Sequence, residues 1–293
     1  MKMIVCIKQV AKIYIQHGFD SKTNRIDPEG IVYIINPYDE IAVEEAIRIR
    51  EKMDTGEVTL ITMGASQAEE VLRWGIAMGA DKAIHIVEDV SENIDPWMTS
   101  IVLSKVISGL EFDMVFFGKL AIDDEMGQVG AYVAESLNLP MVSSVIKLEF
   151  SPEEKKATVQ RALERGNREV VECSFPAVFT VDKGLNRPRY PTFPSRKMSR
   201  TKPIQKMDIK SLGLFMDNGV EKQIHTIRFA PPKLRPKKIL TPGSNLTAAG
   251  RMKWIMSGGV AKKKGGVVDG DSEKLVSGII EFLQEKKIIK ANI

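Results

Sequence analysis

Two glycines occur close together in the stretch GKLAIDDEMGQVGAY, residues 118–132. An apolar run at 114–117 precedes this stretch, and a segment with helical periodicity follows it. The first amides of a helix are unpaired and carry positive partial charge, so they suit a phosphate group, and glycines let it approach closely. Gly127 and Gly130 therefore fit a phosphate-binding turn, although their spacing matches neither the Walker A pattern nor Gly-x-Gly-x-x-Gly. The alternative is a tight turn that needs glycine for its backbone conformation alone.

The same stretch carries three consecutive acids, Asp123, Asp124 and Glu125. Carboxylates repel phosphate, so we expect at least one of them to cap the helix or to hold amides of the loop. A catalytic carboxylate pair is the other option. Neighbouring side chains in a turn usually diverge, and no nucleophile is close in the sequence, so the pattern favours no catalytic residue.

Cysteine and histidine are too few and too dispersed to build a metal centre. Cys6 and Cys173 lie in separate apolar segments without Cys-x-x-Cys spacing, and we expect both to be buried. His17, His85 and His225 stand alone, which leaves neither zinc spacing nor a Ser-His-Asp arrangement. We expect no bound metal.

The elements that would position the stretch 118–132 are those of an α/β fold. Short apolar runs alternate with helical periodicity through the first 140 residues, which is typical of a parallel sheet. Predicted strands cover 3–7, 58–63, 83–87 and 114–117. The stretch 118–132 then falls at the carboxyl end of the sheet, where doubly wound folds bind ligands.

Two helix starts are predicted from capping patterns. Asn36 can cap a helix that begins at Pro37, with Asp39 in the position of a capping-box acid. Ser66 and Glu69 repeat the spacing.

Beyond Pro140 the pattern changes to further strands at 142–150, 157–163, 169–173 and 177–181, which would extend the sheet antiparallel. Arg165-Gly166-Asn167 is a plausible hairpin turn. After residue 182 the chain is rich in proline and basic residues, which predicts an irregular arm, and a terminal helix follows at 272–287. We therefore divide the chain into a nucleotide-binding domain (1–182), a recognition loop with linker (183–207) and a C-terminal arm (208–293).

Composition limits the class of protein. Charged residues make up 27% of the 293 residues and the net charge is +4. No apolar run approaches the roughly 18 residues that span a membrane, and residues 1–5 resemble a strand rather than a signal peptide, so we expect a cytoplasmic protein. Lysine tracts occur at 233–238 and 262–264, but they lack interleaved aromatics, which disfavours nucleic-acid binding.

Taken together, these segments resemble the β subunit of electron-transfer flavoproteins. The likeness runs through VCIKQV, INPYDEIAVEEAIRIRE, GADKAIHI, FGKLAIDDEMGQVG, VQRALERGNREVV, FPAVFTVD and LNRPRYPTFPSR, over about residues 1 to 215. It implies a Rossmann-like, adenine-nucleotide α-hydrolase-like fold and a heterodimer with a larger α subunit. It further implies an electron carrier without catalytic residues of its own, which takes electrons from an acyl-CoA dehydrogenase or related flavoenzyme and passes them to a quinone reductase or other acceptor.

The resemblance also implies two nucleotides. An FAD is shared with, and mostly held by, the α subunit, and Tyr38 faces it. AMP lies in the β subunit. Its expected contacts are Cys6, Asn36, Pro37, Tyr38, Asp39, Met63, Ala121, Ile122, Asp123, Asp124, Glu125, Met126, Gly127, Gln128, Val129, Gly130, Ala131 and Tyr132.

The segment RPRYPTFPSRK resembles the family's recognition loop, which docks on the dehydrogenase. Phe193 stands where the family often has a leucine anchor. The expected recognition residues are Arg189, Tyr190, Phe193, Pro194, Arg196 and Lys197.

Some members of the family instead hold a second FAD in the β pocket and oxidise NADH by bifurcation, with AIDGDTAQVGP in the loop. Here Asp124 replaces the glycine, Met126 the threonine and Ala131 the proline, and Leu120 departs from the glutamine common to both groups. A bulkier loop leaves less room for a flavin, which favours AMP. From a different class, a nucleotide hydrolase or ligase of similar topology would need a phosphate loop near the first strand, and no Ser-Gly-Gly run follows Lys8-Gln9-Val10.

Overall fold

The computed structural model describes residues 1–12, 19–20, 25–26, 31–53, 55–88, 94–213, 223–224, 246–256 and 270–285. By its internal contacts the chain separates into two compact units, 1–231 and 232–293. The domain division at residues 182 and 207 stays a prediction. Of the segments singled out in the sequence, His17, His225 and the lysine tracts at 233–238 and 262–264 lie outside the described residues.

The described strands of the first unit form one large sheet and two small pairs. They are β1 (Lys2–Cys6), β2 (Gln9–Lys12), β3 (Phe19–Asp20), β4 (Arg25–Ile26), β5 (Val32–Ile35), β6 (Glu57–Gly64), β7 (Lys82–Val87), β8 (Met114–Gly118), β9 (Met141–Ser151), β10 (Lys156–Ala162), β11 (Arg168–Ser174), β12 (Ala177–Val181) and β13 (Gln205–Asp208). The sheet has the order β11-β10-β9-β12-β8-β1-β6-β7-β13, and β2–β5 and β3–β4 form two small antiparallel pairs. The strands from β9 to β13 in this order pair in parallel, while β10 pairs antiparallel with β9 and β11.

The predicted α/β fold, a parallel core with an antiparallel extension, is confirmed. The extension is narrower than the sequence analysis expects, because β9 and β12 pair in parallel and belong to the core. Strand β12 follows the hairpin and inserts between β9 and β8, so its direction depends on a pairing that no local pattern specifies.

Helices cover both faces of this sheet. Among the described residues of the first unit, the helices are α1 (Pro37–Met53), α2 (Glu69–Met78), α3 (Pro96–Ser108), α4 (Val129–Ser136) and α5 (Phe193–Ser199). The second unit contains α6 (Ala248–Met256) and α7 (Ser272–Glu285). Side chains of a strand alternate between faces, so Met3 and Val5 join the core with α1 and α2, whereas Ile4 and Cys6 join the core with α3 and α4. This alternation buries β1 on both sides, as expected for a central parallel strand.

Neither Asn36 nor Ser66 caps a helix in the way that the sequence predicts. Helix α1 does begin at Pro37, but the Asn36 side chain donates to Asp39 Oδ1 (3.0 Å) and accepts from the Ile122 amide (3.3 Å). Asn36 thus joins the helix start to the loop after β8 instead of capping the helix. Ser66 opens a short 3-10 helix, and α2 begins at Glu69 with no side-chain cap.

Two elements after residue 182 were not predicted. Strand β13 pairs with β7, and α5 occupies a segment that the sequence pattern predicts to be irregular. Strand β13 (QKMD) lies at the sheet edge and lacks the apolar run that marks a buried strand. Helix α5 is a single capped stretch of seven residues, which is too short to show a helical period.

The antiparallel hairpin is confirmed. Its strands β10 and β11 pair from Lys156 with Ser174 to Ala162 with Arg168, and Arg165 and Gly166 turn with positive φ of 58° and 81°. In the second unit, α7 confirms the predicted terminal helix. Among the described helices, none combines the length and the apolar character needed to cross a membrane.

Candidate functional site

A cavity of about 520 Å³ opens at the carboxyl ends of β1, β6 and β8. Its floor is apolar and includes Cys6, Ile61, Leu103 and Phe117. Its other side is the loop between β8 and α4, with Gly127, Gln128, Val129 and Gly130 in the lining. An apolar floor beside a few convergent polar groups is the usual make-up of a small-molecule site.

The amides at the start of α4 supply donors to this cavity. The backbone amides of residues 127–131 donate no hydrogen bond to another described residue. The first amide of α4 that does so is that of Tyr132, which donates to the Gln128 carbonyl (3.1 Å). Gln128 Oε1, an acceptor that would not bind an anion, is also buried without a partner among the described residues. Unpaired amides at a helix start attract an anion.

The two glycines of the loop are explained by backbone geometry and packing. Gly127 has φ of 60°, and a Cβ there would lie 2.9 Å from the Lys119 carbonyl oxygen. A Cβ on Gly130 would lie 2.9 Å from Thr180 Cγ2 and 3.4 Å from the Phe117 ring. Gly127 therefore permits the turn and Gly130 lets α4 pack on the sheet, so neither glycine by itself requires a ligand.

A lysine that the sequence analysis did not single out pairs with two of the three acids of the loop. Lys8 Nζ lies 2.9 Å from carboxylate oxygens of both Asp123 and Asp124. Asp124 also accepts the Met126 amide (3.1 Å), as expected for an acid that holds the loop. Burial opposes a charged Lys8, but the two carboxylates outweigh it and raise the pKa of the lysine. Helix α4 has no side-chain cap, so none of the three acids caps it.

Asp39 ties three segments together at the base of the cavity. Its carboxylate accepts the Lys8 amide (2.7 Å) after β1, the Gly118 amide (3.0 Å) at the end of β8, and the Asn36 side chain (3.0 Å). Burial raises the pKa of Asp39 to about 7, and the three donated hydrogen bonds act against this rise. A Cβ on Gly118 would lie 2.7 Å from Tyr38 Cβ and would also strike the Asp39 carboxylate, which explains a glycine at the end of this strand.

The expected nucleotide contacts divide into two groups. Those that line the cavity are Cys6, Asn36, Asp39, Met63, Ala121, Asp123, Asp124, Met126, Gly127, Gln128, Val129 and Gly130. Those that the structure places outside the lining are Pro37, Tyr38, Ile122, Glu125, Ala131 and Tyr132. Tyr38 is half-buried in the first turn of α1, with Lys183 Nζ 5.2 Å from the centre of its ring. Its approach to a flavin stays a prediction.

Sequence reasoning missed several lining residues. Among them are Lys8, Gln9, Gln67, Asp95 and Thr99. Gln9 and Lys8 directly follow β1 and could have been found from the rule that ligands lie beyond strand ends. Asp95 caps α3 by accepting the Met98 amide (2.8 Å), and no local pattern reveals that this cap borders the cavity.

Cys6 is buried in the cavity floor, 6% exposed. Burial, together with the charge of Asp39, raises the pKa of its thiol well above the ordinary range, so the sulfur acts as an apolar contact. Across the described residues, no three His, Cys, Asp or Glu side chains are grouped to hold a metal.

The predicted recognition residues lie on and before α5. Phe193 and Tyr190 are the most exposed apolar side chains there, at 80% and 76%. Pro194 is in the first turn, Lys197 is exposed, and the Arg196 guanidinium lies 5.5 Å from the centre of the Trp74 ring. Arg189, in contrast, is bound within the chain: its guanidinium pairs with Glu44 (2.8 Å) and Glu51 (2.6 Å) of α1.

Comparison with known proteins places the chain in one family. A family model for the electron transfer flavoprotein domain matches residues 23–212. The chain is 38% identical over 221 residues to the electron transfer flavoprotein subunit beta of Bacillus subtilis, covering 75% of this chain and 84% of that protein. It is 44% identical over 199 residues to the subunit beta of Thermoanaerobacterium thermosaccharolyticum, covering 66% and 72%, and 32% identical to the mouse subunit beta over 222 residues, covering 75% and 86%. With this fold and these relatives, the chain belongs to the electron transfer flavoprotein family and is a subunit of its β type.

Proposed function

We propose that this chain pairs with an electron transfer flavoprotein α subunit, holds AMP in the cavity beside α4, and works as an electron carrier without bond-making residues of its own. The FAD shared with the α subunit supplies the redox chemistry, and it takes electrons from an acyl-CoA dehydrogenase or a related flavoenzyme and passes them to a quinone reductase or another acceptor. The chain itself contributes binding, orientation and electrostatics.

The observation that carries the AMP proposal is the set of unpaired amides at the start of α4, beside an apolar floor. These amides suit the phosphate, and the floor formed by Ile61, Leu103 and Phe117 suits an adenine ring. Lys8 cancels one of the two negative charges of Asp123 and Asp124 and so weakens their repulsion of a phosphate at this position. The residues present therefore fit an adenylate.

The bifurcating alternative would put a second FAD in this cavity. Asp124, which replaces the glycine of bifurcating members, carries the ion pair with Lys8 and the hydrogen bond to Met126. This side chain lines the cavity and takes up space that a glycine would leave free, which supports AMP over a larger dinucleotide.

Release and counting of the nucleotides tests the proposal. The purified heterodimer is denatured, and AMP and flavin are quantified per protein by chromatography. We expect one AMP and one FAD. Two FAD and no AMP would establish the bifurcating form, and absence of both AMP and a second flavin would refute a nucleotide role for the cavity.

A substitution links the nucleotide to this cavity. Lys8→Met leaves Asp123 and Asp124 without their cation, so AMP retained after purification is expected to fall about tenfold, the effect of losing a charged partner worth about 1.4 kcal/mol. Lys105→Met removes the same charge from an exposed position on α3 and serves as the matched control. Equal AMP content in both variants would refute the proposal that AMP binds in this cavity.

A further inference from the structure

The segment 187–202 exposes apolar side chains in a defined arrangement. Phe193, Tyr190 and Met198 are 80%, 76% and 64% exposed. Exposed aromatic side chains on a basic segment are typical of a protein-docking surface. Two arginines hold this segment in place: one binds its start to α1, and the other binds its end to α2.

The first arginine is Arg189, at the start of the segment. Its Nε lies 2.8 Å from Glu44 Oε2 and its Nη1 2.6 Å from Glu51 Oε1, and its backbone amide donates to Glu44 as well (3.1 Å). Glu44 is 2% exposed, so this ion pair is shielded from solvent on the side of α1. A fork of charge-assisted hydrogen bonds fixes both distance and direction.

The second arginine is Arg73 of α2, which binds the end of the segment. Its Nη1 donates to the carbonyl oxygens of Ser199 (2.7 Å) and Lys202 (2.5 Å). The Ser199 carbonyl lies at the end of α5 and the Lys202 carbonyl lies just beyond it, so neither has a donor within the helix. Glu69 holds the guanidinium in place through Nη2 (2.7 Å) and Nε (3.1 Å).

Between the two arginines, Trp74 supports the exposed side chains. Its ring meets Tyr190 edge to face at 5.5 Å between centroids, and Arg196 lies over it. Glu40 of α1 accepts the Trp74 indole N–H (2.8 Å). The segment is therefore supported by α1 and α2 at its start, its middle and its end.

We propose that Arg189 and Arg73 are positioning residues that clamp the two ends of segment 187–202 and present Phe193 in its docking geometry before a partner arrives. This inference rests on the proposed function, with this segment as the predicted recognition loop that docks on the flavoenzyme donating electrons. A surface ordered in advance loses less conformational entropy on binding, so the clamps increase affinity without touching the partner. The partner surface that fits is an apolar pocket with an acidic rim, because Arg196, Lys197, Arg200 and Lys202 surround the exposed aromatics.

Amide hydrogen exchange of the free heterodimer tests the clamps without any partner. Arg73→Ala and Arg189→Ala are each expected to speed exchange in residues 192–202 about tenfold or more, as for loss of a charge-assisted hydrogen bond. Arg200→Ala is the matched control, since it removes the same charge from the end of α5 and makes no side-chain hydrogen bond or ion pair with another described residue. Exchange that is equal in all three variants would overturn the inference. Arg73→Lys, which keeps the charge, replaces Arg73→Ala if the alanine variant does not assemble.

Steady-state electron transfer with purified acyl-CoA dehydrogenases separates the clamps from the docking function. Both clamp variants are expected to raise the KM for the carrier about tenfold with kcat and cofactor content unchanged, more than Arg200→Ala does. Faster exchange with an unchanged KM would overturn the positioning role. In that case Phe193→Ala tests docking directly. An unchanged KM in this variant would refute the proposed docking function as well, whereas a raised KM would leave the docking function in place and refute only the clamps.

Discussion

Replacing Asp39 by asparagine tests the electrostatics at the base of the cavity. Asp39 is 5% exposed, and burial raises the pKa of its carboxyl from 3.8 to about 7. A group with a raised pKa binds its proton more tightly in the folded protein than in the unfolded chain. The stability contributed by that proton is therefore complete below pH 3.8 and is lost as the pH rises through about 7.

The size of the effect follows from the same values. Between about pH 5 and about pH 7, the free energy of unfolding falls by about 1.4 kcal/mol for each pH unit, and above about pH 7 it falls little further. The total loss between about pH 5 and about pH 8 is therefore about 3 kcal/mol. The amide side chain of the Asp39→Asn variant does not titrate. Relative to this variant, the unsubstituted protein is therefore expected to lose about 3 kcal/mol of unfolding free energy across this interval.

Urea unfolding of both heterodimers at the two pH values measures this quantity. All other titrating groups are common to the two proteins, so the change in their stability difference isolates Asp39. A stability difference that stays constant with pH would mean that the carboxylate is already ionised at pH 5. The hydrogen bonds from Lys8, Gly118 and Asn36 would then outweigh burial, and the reasoning would be wrong.

Three further substitutions test the packing and charges. Glu44→Gln is expected to cost about 2 kcal/mol near pH 7, because burial raises the pKa of this carboxyl but hydrogen bonds from Arg189 and Arg48 outweigh it and lower the pKa overall. In urea unfolding this cost should stay constant above pH 4.5 and shrink as the pH falls below 4.5 through the lowered pKa. Gly130→Ala is expected to cost about 1–3 kcal/mol, since its methyl would lie 2.9 Å from Thr180, and unchanged thermal unfolding would contradict the packing. A Cβ on Gly278 of α7 would have no atom within 4 Å, so Gly278→Ala is expected to stabilise this helix by about 0.5–1 kcal/mol and to slow its amide exchange accordingly.

The positions of the first parallel strands along the chain and of the loop beyond β8 could be predicted from the sequence. Buried parallel strands are nearly continuous apolar runs, as in β1 and β8, and ligand loops follow their carboxyl ends. Edge elements could not be predicted in this way. Strand β13 and helix α5 carry mostly polar or exposed residues, and only their contacts with β7 and α2 define them.

The sequence by itself determined the α/β class, the family and the stretch that borders the cavity, because periodicity and local residue order carry that information. The tertiary structure decided what individual side chains do. Asn36, an expected cap, binds the Ile122 amide, and Asp39 binds the amides of Lys8 and Gly118. The Lys8 side chain pairs with acids of the loop after β8, and Arg189 pairs with Glu44 of α1. Each of these contacts joins residues far apart in the chain, and no local pattern specifies such a pairing before the sheet brings the segments together.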